Sequence, residues 1–328
     1  MRRTVLLSFL FVLAIQFTAL AQYRWDYGTK IGVSNYLGDI GGKYLPRRDG
    51  FVDMHLISTR ASSGTYARFK FNKRFAVSSN IDYIRITDRD AYTTYAPRRA
   101  RNANFRNDII EFGTRAEVTV WYDNDVGNKG YYNPDFKLFV FAGLAGYYSN
   151  PKGQIYSNGE LQYGGKWFDL RDWKTEGQDK PYSKFGVAIP AGVGFYFTYN
   201  KKYRIQWDLS WRTVFTDYLD DVSTVFNKPN TDDPLALEFV NQSYQSLING
   251  LLADNPQYTA ADLAIENFTY VNNPAAPLSP RGNSQHNDSY LTSQITMTKL
   301  IRGKSNFYKA KYSYLKNRAG VRKSRAKF

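Results

Sequence analysis

Between Tyr203 and Tyr218 large apolar and polar side chains alternate with a period of two. Ile205, Trp207, Leu209, Trp211, Thr213 and Phe215 fall on one face, and Arg204, Gln206, Asp208, Ser210, Arg212 and Thr216 on the other. The spacing predicts a β-strand with one face toward lipid and the other toward a polar interior. The pattern recurs. Trp25, Tyr27, Ile31 and Val33 oppose Asp26, Gly28, Lys30 and Gly32, while Ile110, Phe112, Ala116, Val118 and Val120 oppose Glu111, Arg115 and Glu117. Eight strands are predicted, at about 24–37, 63–71, 75–87, 105–122, 136–148, 185–199, 203–217 and 290–301. Pro190 inside the sixth removes a ladder hydrogen bond, so a bulge or kink is expected there.

The connections alternate in length. Those after strands one, three, five and seven run to about 25, 17, 36 and 72 residues, and those after two, four and six to about 3, 13 and 3. Short turns at one end and long loops at the other are the signature of an outer-membrane barrel with periplasmic turns and external loops. The expected fold is therefore all-β: an eight-stranded antiparallel transmembrane β-barrel spanning 22–301, with both termini in the periplasm. A soluble β-sandwich would not usually segregate its loops in this way. The last loop, 218–289, is expected to be folded and partly helical. Asp233 caps Pro234, and Leu237, Val240, Tyr244, Leu247 and Leu251 follow at helical spacing. Thr259 and Asp262 resemble a capping box for a second short helix.

Composition sharpens this reading. Residues 1–21 look like a secretory signal: Arg2 and Arg3, an apolar stretch from Val5 to Phe17, and Ala19-Leu20-Ala21 before the cleavage point. The chain contains no cysteine, so stability is expected from a continuous hydrogen-bonded sheet. Aromatics make up 17% of the residues, including 27 Tyr, which suits interfacial girdles. The net charge is +15, but ten Lys/Arg and no Asp/Glu lie in 302–328, and two Arg lie in the signal; the remainder carries only +3. The chain thus reads as a nearly balanced barrel with a strongly basic periplasmic tail.

Three stretches carry a family resemblance: GVSNYLGD (Gly32 to Asp39), KWFDLRDWKTEGQDKPY (Lys166 to Tyr182) and WRTVFTDYLDDVS (Trp211 to Ser223), supported by NKRF at Asn72 and FAGLAGYYSNP at Phe141. Together they resemble the PorG-type outer-membrane barrels of the type IX secretion system of Bacteroidota. The matching motif residues are Asn35, Gly38, Asp39, Thr175, Glu176, Gly177, Gln178, Thr216, Asp217, Tyr218, Asp220 and Asp221. The resemblance implies a non-enzymatic component that anchors a periplasmic ring of PorK- and PorN-like proteins to the outer membrane. The machine moves cargo across that membrane and in some members supports gliding. Residues 226–328 match less clearly.

The tail interleaves cations with aromatics. Lys304, Tyr308, Lys309, Lys311, Tyr312, Tyr314, Lys316, Arg318, Arg322, Lys323, Arg325 and Lys327 are the candidate contacts for an acidic periplasmic partner. Lipid phosphates, peptidoglycan or a solvated tail are the alternatives. Nucleic acid is not expected, because the signal exports the chain. Asp217, Asp220 and Asp221 could converge on a cation, but contacts to Arg98, Arg99 and Arg101 are the preferred reading. Asp123-Asn124-Asp125 reads as turn chemistry. The only histidines, His55 and His286, lack a supporting catalytic motif, so no catalytic, cofactor or metal residue is assigned. An eight-stranded barrel is just wide enough for side chains to fill, so Asp26, Lys30, Asp82, Glu111, Arg115, Glu117, Asp208 and Arg212 are expected to pair and plug it. The alternative role is an adhesion-type surface barrel whose external loops bind a ligand or partner.

Overall fold

The computed structural model describes residues 25–42, 54–123, 135–199, 202–240, 242–259, 263 and 280–301. The expected signal, the turn from Asn124 to Asp125, and the basic tail with all its candidate contacts lie outside the described residues.

Eight strands form one closed antiparallel sheet: β1 (Trp25–Leu37), β2 (Arg60–Lys70), β3 (Phe75–Arg89), β4 (Asn104–Asp123), β5 (Asp135–Tyr148), β6 (Phe185–Tyr199), β7 (Tyr203–Val214) and β8 (Ser289–Ile301). Each strand pairs with its sequence neighbours, and β8 returns to β1, so that Trp25 stands opposite Ile301 and Leu37 opposite Ser289. No barrel edge is left open. The described residues of the connections after β1, β3, β5 and β7 gather at one end, and the turn 71–74 lies at the other.

The strand faces follow the predicted alternation. Ile31, Phe112 and Met297 on the outside are 67%, 60% and 60% exposed, whereas Asp26, Glu111 and Asp208 inside are fully buried. Apolar outside and charged inside reverses the arrangement of a water-soluble protein, and it satisfies every requirement of a wall set in lipid.

The interior is a chain of ion pairs. Lys30 Nζ lies 2.6 Å from Asp82 Oδ2, Arg68 Nε 2.7 Å from Glu117 Oε2, and Arg115 Nη1 3.2 Å from Asp208 Oδ2. Arg212 Nε donates to Glu111 Oε2 at 2.8 Å, and Tyr290 donates to the same carboxylate at 2.6 Å. Arg204 pairs with Asp26 near the turn end. Arg68 also lies over the rings of Tyr196 and Phe139, at 4.8 and 5.1 Å. The gap among Arg68, Lys70, Glu117, Phe139 and Tyr196 is about 10 Å³, at the lower limit of the roughly 10–15 Å³ that one water needs. Above the ion pairs, Ile84, Ile86, Phe105, Ile109, Tyr147 and Val214 form an apolar layer that continues into Ile40, Leu219 and Val222 of the loops.

Three expectations are corrected. β7 ends at Val214, because Thr216 and its successors turn into the loop cluster. Pro190 makes no bulge: it stays in register opposite Arg212, and pairing toward β5 is interrupted between Ala188 and Ala191 with no slip. The register shift lies in β4, between Thr119 and Trp121. The helical run in the last loop is two helices, α2 (Pro234–Val240) and α3 (Gln245–Asp254), preceded in the chain by α1 (Ala96–Arg101). Tyr244, expected inside one helix, is instead the extended residue that starts α3. The second member of the proposed capping box, Asp262, lies outside the described residues.

Candidate functional site

The stretches that carry the family resemblance meet at the loop end. Asp39, Thr175, Glu176, Asp217, Asp220 and Asp221 are all buried there, on segments far apart in sequence. Arg281, which sequence reasoning did not single out, joins Thr175, Glu176 and Asp221. Its Nη1 donates to Thr175 Oγ1 at 2.8 Å, to Glu176 Oε1 at 3.2 Å and to the Asp221 carbonyl at 2.6 Å. Its Nη2 lies 3.4 Å from Asp221 Oδ2. Glu176 accepts the Ser223 amide at 2.9 Å, the Thr224 hydroxyl at 2.7 Å and the Tyr218 hydroxyl at 3.3 Å. Tyr218 stacks on Tyr182 with centroids 4.9 Å apart and planes 10° from parallel. Tyr182 and Thr175 both donate to Asp221, at 2.8 and 2.6 Å.

Local backbone geometry separates the adjacent aspartates. Asp221 has φ +72°, a left-handed conformation that is uncommon for a non-glycine residue. Its side chain turns toward Arg281, while Asp220 accepts the Ile40 amide at 3.0 Å and the Val222 amide at 2.9 Å. Gly177 has φ +74° beside Asn227, which lets the 175–178 segment fold against 227–230. Gln178 closes this corner by accepting the Glu176 amide at 3.2 Å.

A second group surrounds Tyr36. Its hydroxyl donates to Asp288 Oδ1 at 2.6 Å and accepts the Asp39 amide at 3.2 Å. Asp288 Oδ2 accepts the Leu219 amide at 2.9 Å. The Asp220 carboxyl faces the same tyrosine. Burial pushes Asp220 up to about 7, with the Asp39 charge adding to the effect. Burial, then the charges of Asp220 and Asp217, hold Asp288 well above the ordinary carboxylate range. Burial also lifts Asp221 to about 6 against the opposing pull of Arg281. Gly38 is required by this packing: a Cβ there would fall 1.8 Å from the Tyr36 hydroxyl.

Of the 98–101 cations, Arg101 faces Asp220, one of the aspartates expected to meet them, but its hydrogen bonds go elsewhere. Arg101 bonds Asp90, with Nε 2.6 Å from Oδ2, and reaches the Asp39 carbonyl at 2.7 Å and the Arg281 carbonyl. Arg98 donates to the Gly41 carbonyl at 2.7 Å. These cations tie loop backbones together, and Arg281 serves the acidic motif. Asn35 stands apart, donating to the His55 carbonyl at 2.6 Å and so anchoring the first loop. His286 contacts Asn283 at 3.1 Å, whereas Asp288 turns away toward Tyr36. Among the described residues no group of three His, Cys, Asp or Glu is arranged to hold a metal ion.

All four long connections therefore contribute to one buried polar seal over the barrel mouth. Beside it lies a second apolar nucleus of Ile155, Leu170, Trp173, Phe226, Ala236, Phe239 and Val240. Together they make a folded cap.

A closed eight-stranded sheet with an apolar outer wall and an ion-paired interior defines an outer-membrane β-barrel. No family model matches the chain, and no curated protein matches it in sequence. Among solved structures it is similar to Neisserial surface protein A, at 7% identity over 84% of this chain and 97% of that one, with TM-score 0.33. It is also similar to Ail of Yersinia pestis, solved with the heparin analogue sucrose octasulfate, at 8% identity over 84% and 98%, with TM-score 0.31. CarO2 of Acinetobacter baumannii aligns at 9% identity over 83% and 98%, with TM-score 0.25.

Proposed function

We propose that this protein is a non-enzymatic outer-membrane component of the type IX secretion system, of the PorG type, that anchors the periplasmic PorK/PorN-like ring. In this reading both termini and the short turns lie in the periplasm, and the long loops face outward. The tail from Arg302 to Phe328 docks an acidic ring partner, aided by the exposed cations Lys73, Arg74 and Lys202 of the turns.

The observation that carries this reading is the convergence of the resemblance motifs. Gly38-Asp39, Thr175 to Gln178 and Thr216 to Asp221 are distant in sequence but build one buried seal. A barrel plugged by its own ion pairs is suited to anchoring and not to conduction. A pull-down from outer membranes with full-length protein and with a truncation after Gly303 tests the proposal. Recovery of ring lipoprotein by the full-length form alone places the contact on the tail. Equal recovery moves it to the turns. Absence of ring proteins from both samples removes the secretion role.

A second reading, a surface barrel that binds a ligand through its loops, is favoured by one feature. Asp172, Lys174, Gly177, Asn227, Asn230 and Asp232 line an open polar cleft of about 680 Å³ on the cap. Saturable binding of a polar ligand at this cleft, without ring recovery, would favour this alternative.

A further inference from the structure

The outer wall of β3 and β4 changes character over a few residues. Ile81 and Phe112, directly opposite each other, are exposed apolar side chains, as are Tyr83 and Ile110 one step nearer the loops. The next outward pair is Arg85 and Asp108, and Arg106 follows, opposite Lys152 of the third long loop. The apolar band thus ends and a row of cations begins at the level where acyl chains give way to headgroups.

The cations are held in place. Arg85 Nε donates to Asp108 at 2.6 Å, and Lys152 Nζ lies 3.0 Å from Asp169. The Arg106 guanidinium lies 4.3 Å from the centre of the Trp167 ring, with its Nε 3.7 Å from Asp108, which already serves Arg85. Three cations thus share two carboxylates. Both ion pairs are partly open to solvent, so each is worth little by itself and is readily exchanged. A guanidinium backed by an indole keeps its N–H edge available for a phosphate, and the ring fixes its orientation.

We infer that Arg106 and Lys152, with Trp167 as the backing surface, bind the phosphate of a membrane lipid whose acyl chains lie along Ile81, Ile110 and Phe112. The site is a feature of the barrel wall and is independent of the secretion role.

The test uses full-length protein in neutral detergent micelles, with native mass spectrometry to count retained lipid. The probes are phosphatidic acid, the matching diacylglycerol and inorganic phosphate. Arg106→Gln/Lys152→Gln is compared with the wild type and with Lys228→Gln, which alters a distant cap cation. Folding of each variant is checked by heat-modifiable gel mobility, and Lys152→Gln alone serves if the double variant does not fold. Phosphatidic acid retention should fall at least about tenfold in the double variant, as expected for lost charge-assisted hydrogen bonds, and stay unchanged in Lys228→Gln. Diacylglycerol should not be retained. Equal retention of phosphatidic acid by the wild type and the double variant overturns the assignment. Competition by inorganic phosphate at equal concentration overturns the lipid source, leaving a free-anion site.

Discussion

Arg281 Nη1 and Glu176 Oε1 lie 3.2 Å apart although 105 positions separate them in the chain. That contact joins the third and fourth long connections and is fully removed from water. Truncating one partner leaves a buried uncompensated charge, which costs about 3–5 kcal/mol. Arg281→Ala should therefore open the cap while leaving the sheet intact. Limited proteolysis should cut within 215–288 while the heat-modifiable gel band of the barrel persists. Unchanged protease resistance would show that the cap does not depend on this pair.

The Tyr36–Asp220–Asp288 group predicts a pH dependence. Asp220 titrates at about 7 in the folded protein, against roughly 3.9 when unfolded. A raised carboxyl favours the folded cap fully at low pH, and that contribution is lost as pH climbs toward 7. The groups facing Asp220 are Asp39, Asp288, Tyr36 and Arg101, and Asp288 in turn faces Asp217. Hydrogen exchange at the Ile40 and Val222 amides should quicken from pH 5 to 8, after correction for intrinsic rates. Asp220→Asn should flatten that trend.

In the lumen, Arg212 contacts both Glu111 and Asp82. Arg212→Leu should cost about 3–5 kcal/mol in urea unfolding from vesicles, because Glu111 loses its ion-pair partner, while Asp82 keeps Lys30. Arg212→Leu combined with Glu111→Leu should recover part of the loss. Additive effects in the two single variants and the pair would contradict the coupling.

Gly38→Ala tests the seal from the backbone side. The added methyl would collide with the Tyr36 hydroxyl and with Asp288 Oδ1, 2.2 Å away. A loss of about 1–3 kcal/mol in cap stability is expected, read as faster exchange of the Leu219 amide. The strand amides of β1 and β8 should be unaffected.

The wall was legible in the sequence because its rule is local. Ile205, Trp207 and Leu209 against Arg204, Gln206 and Asp208 state which face is which, and the structure keeps every one on its expected side. The cap was legible only in part. The Asp233 N-cap is present, accepting the Leu235 amide at 3.0 Å, but the helix it starts stops at Val240. Helical spacing continues through Tyr244, yet tertiary packing of Phe239 and Val240 against Trp173 and Ile155 ends the first helix early. Arg281 was missed because it sits in a Pro- and Asn-rich stretch with no period, and its partners come from three other segments. Asp220 and Asp221 were read as a unit, but a single left-handed residue sends them to different partners.

The pairing of Trp25 with Ile301 makes the closed wall depend on both ends of the sheet at once. Until the final strand is in place, β1 and β7 each lack one neighbour, and inward charges lack the wall that shields them. A partly assembled barrel therefore exposes two unpaired margins. Closure joins the two ends of the sheet, so a copy lacking β8 would offer both margins to its neighbours.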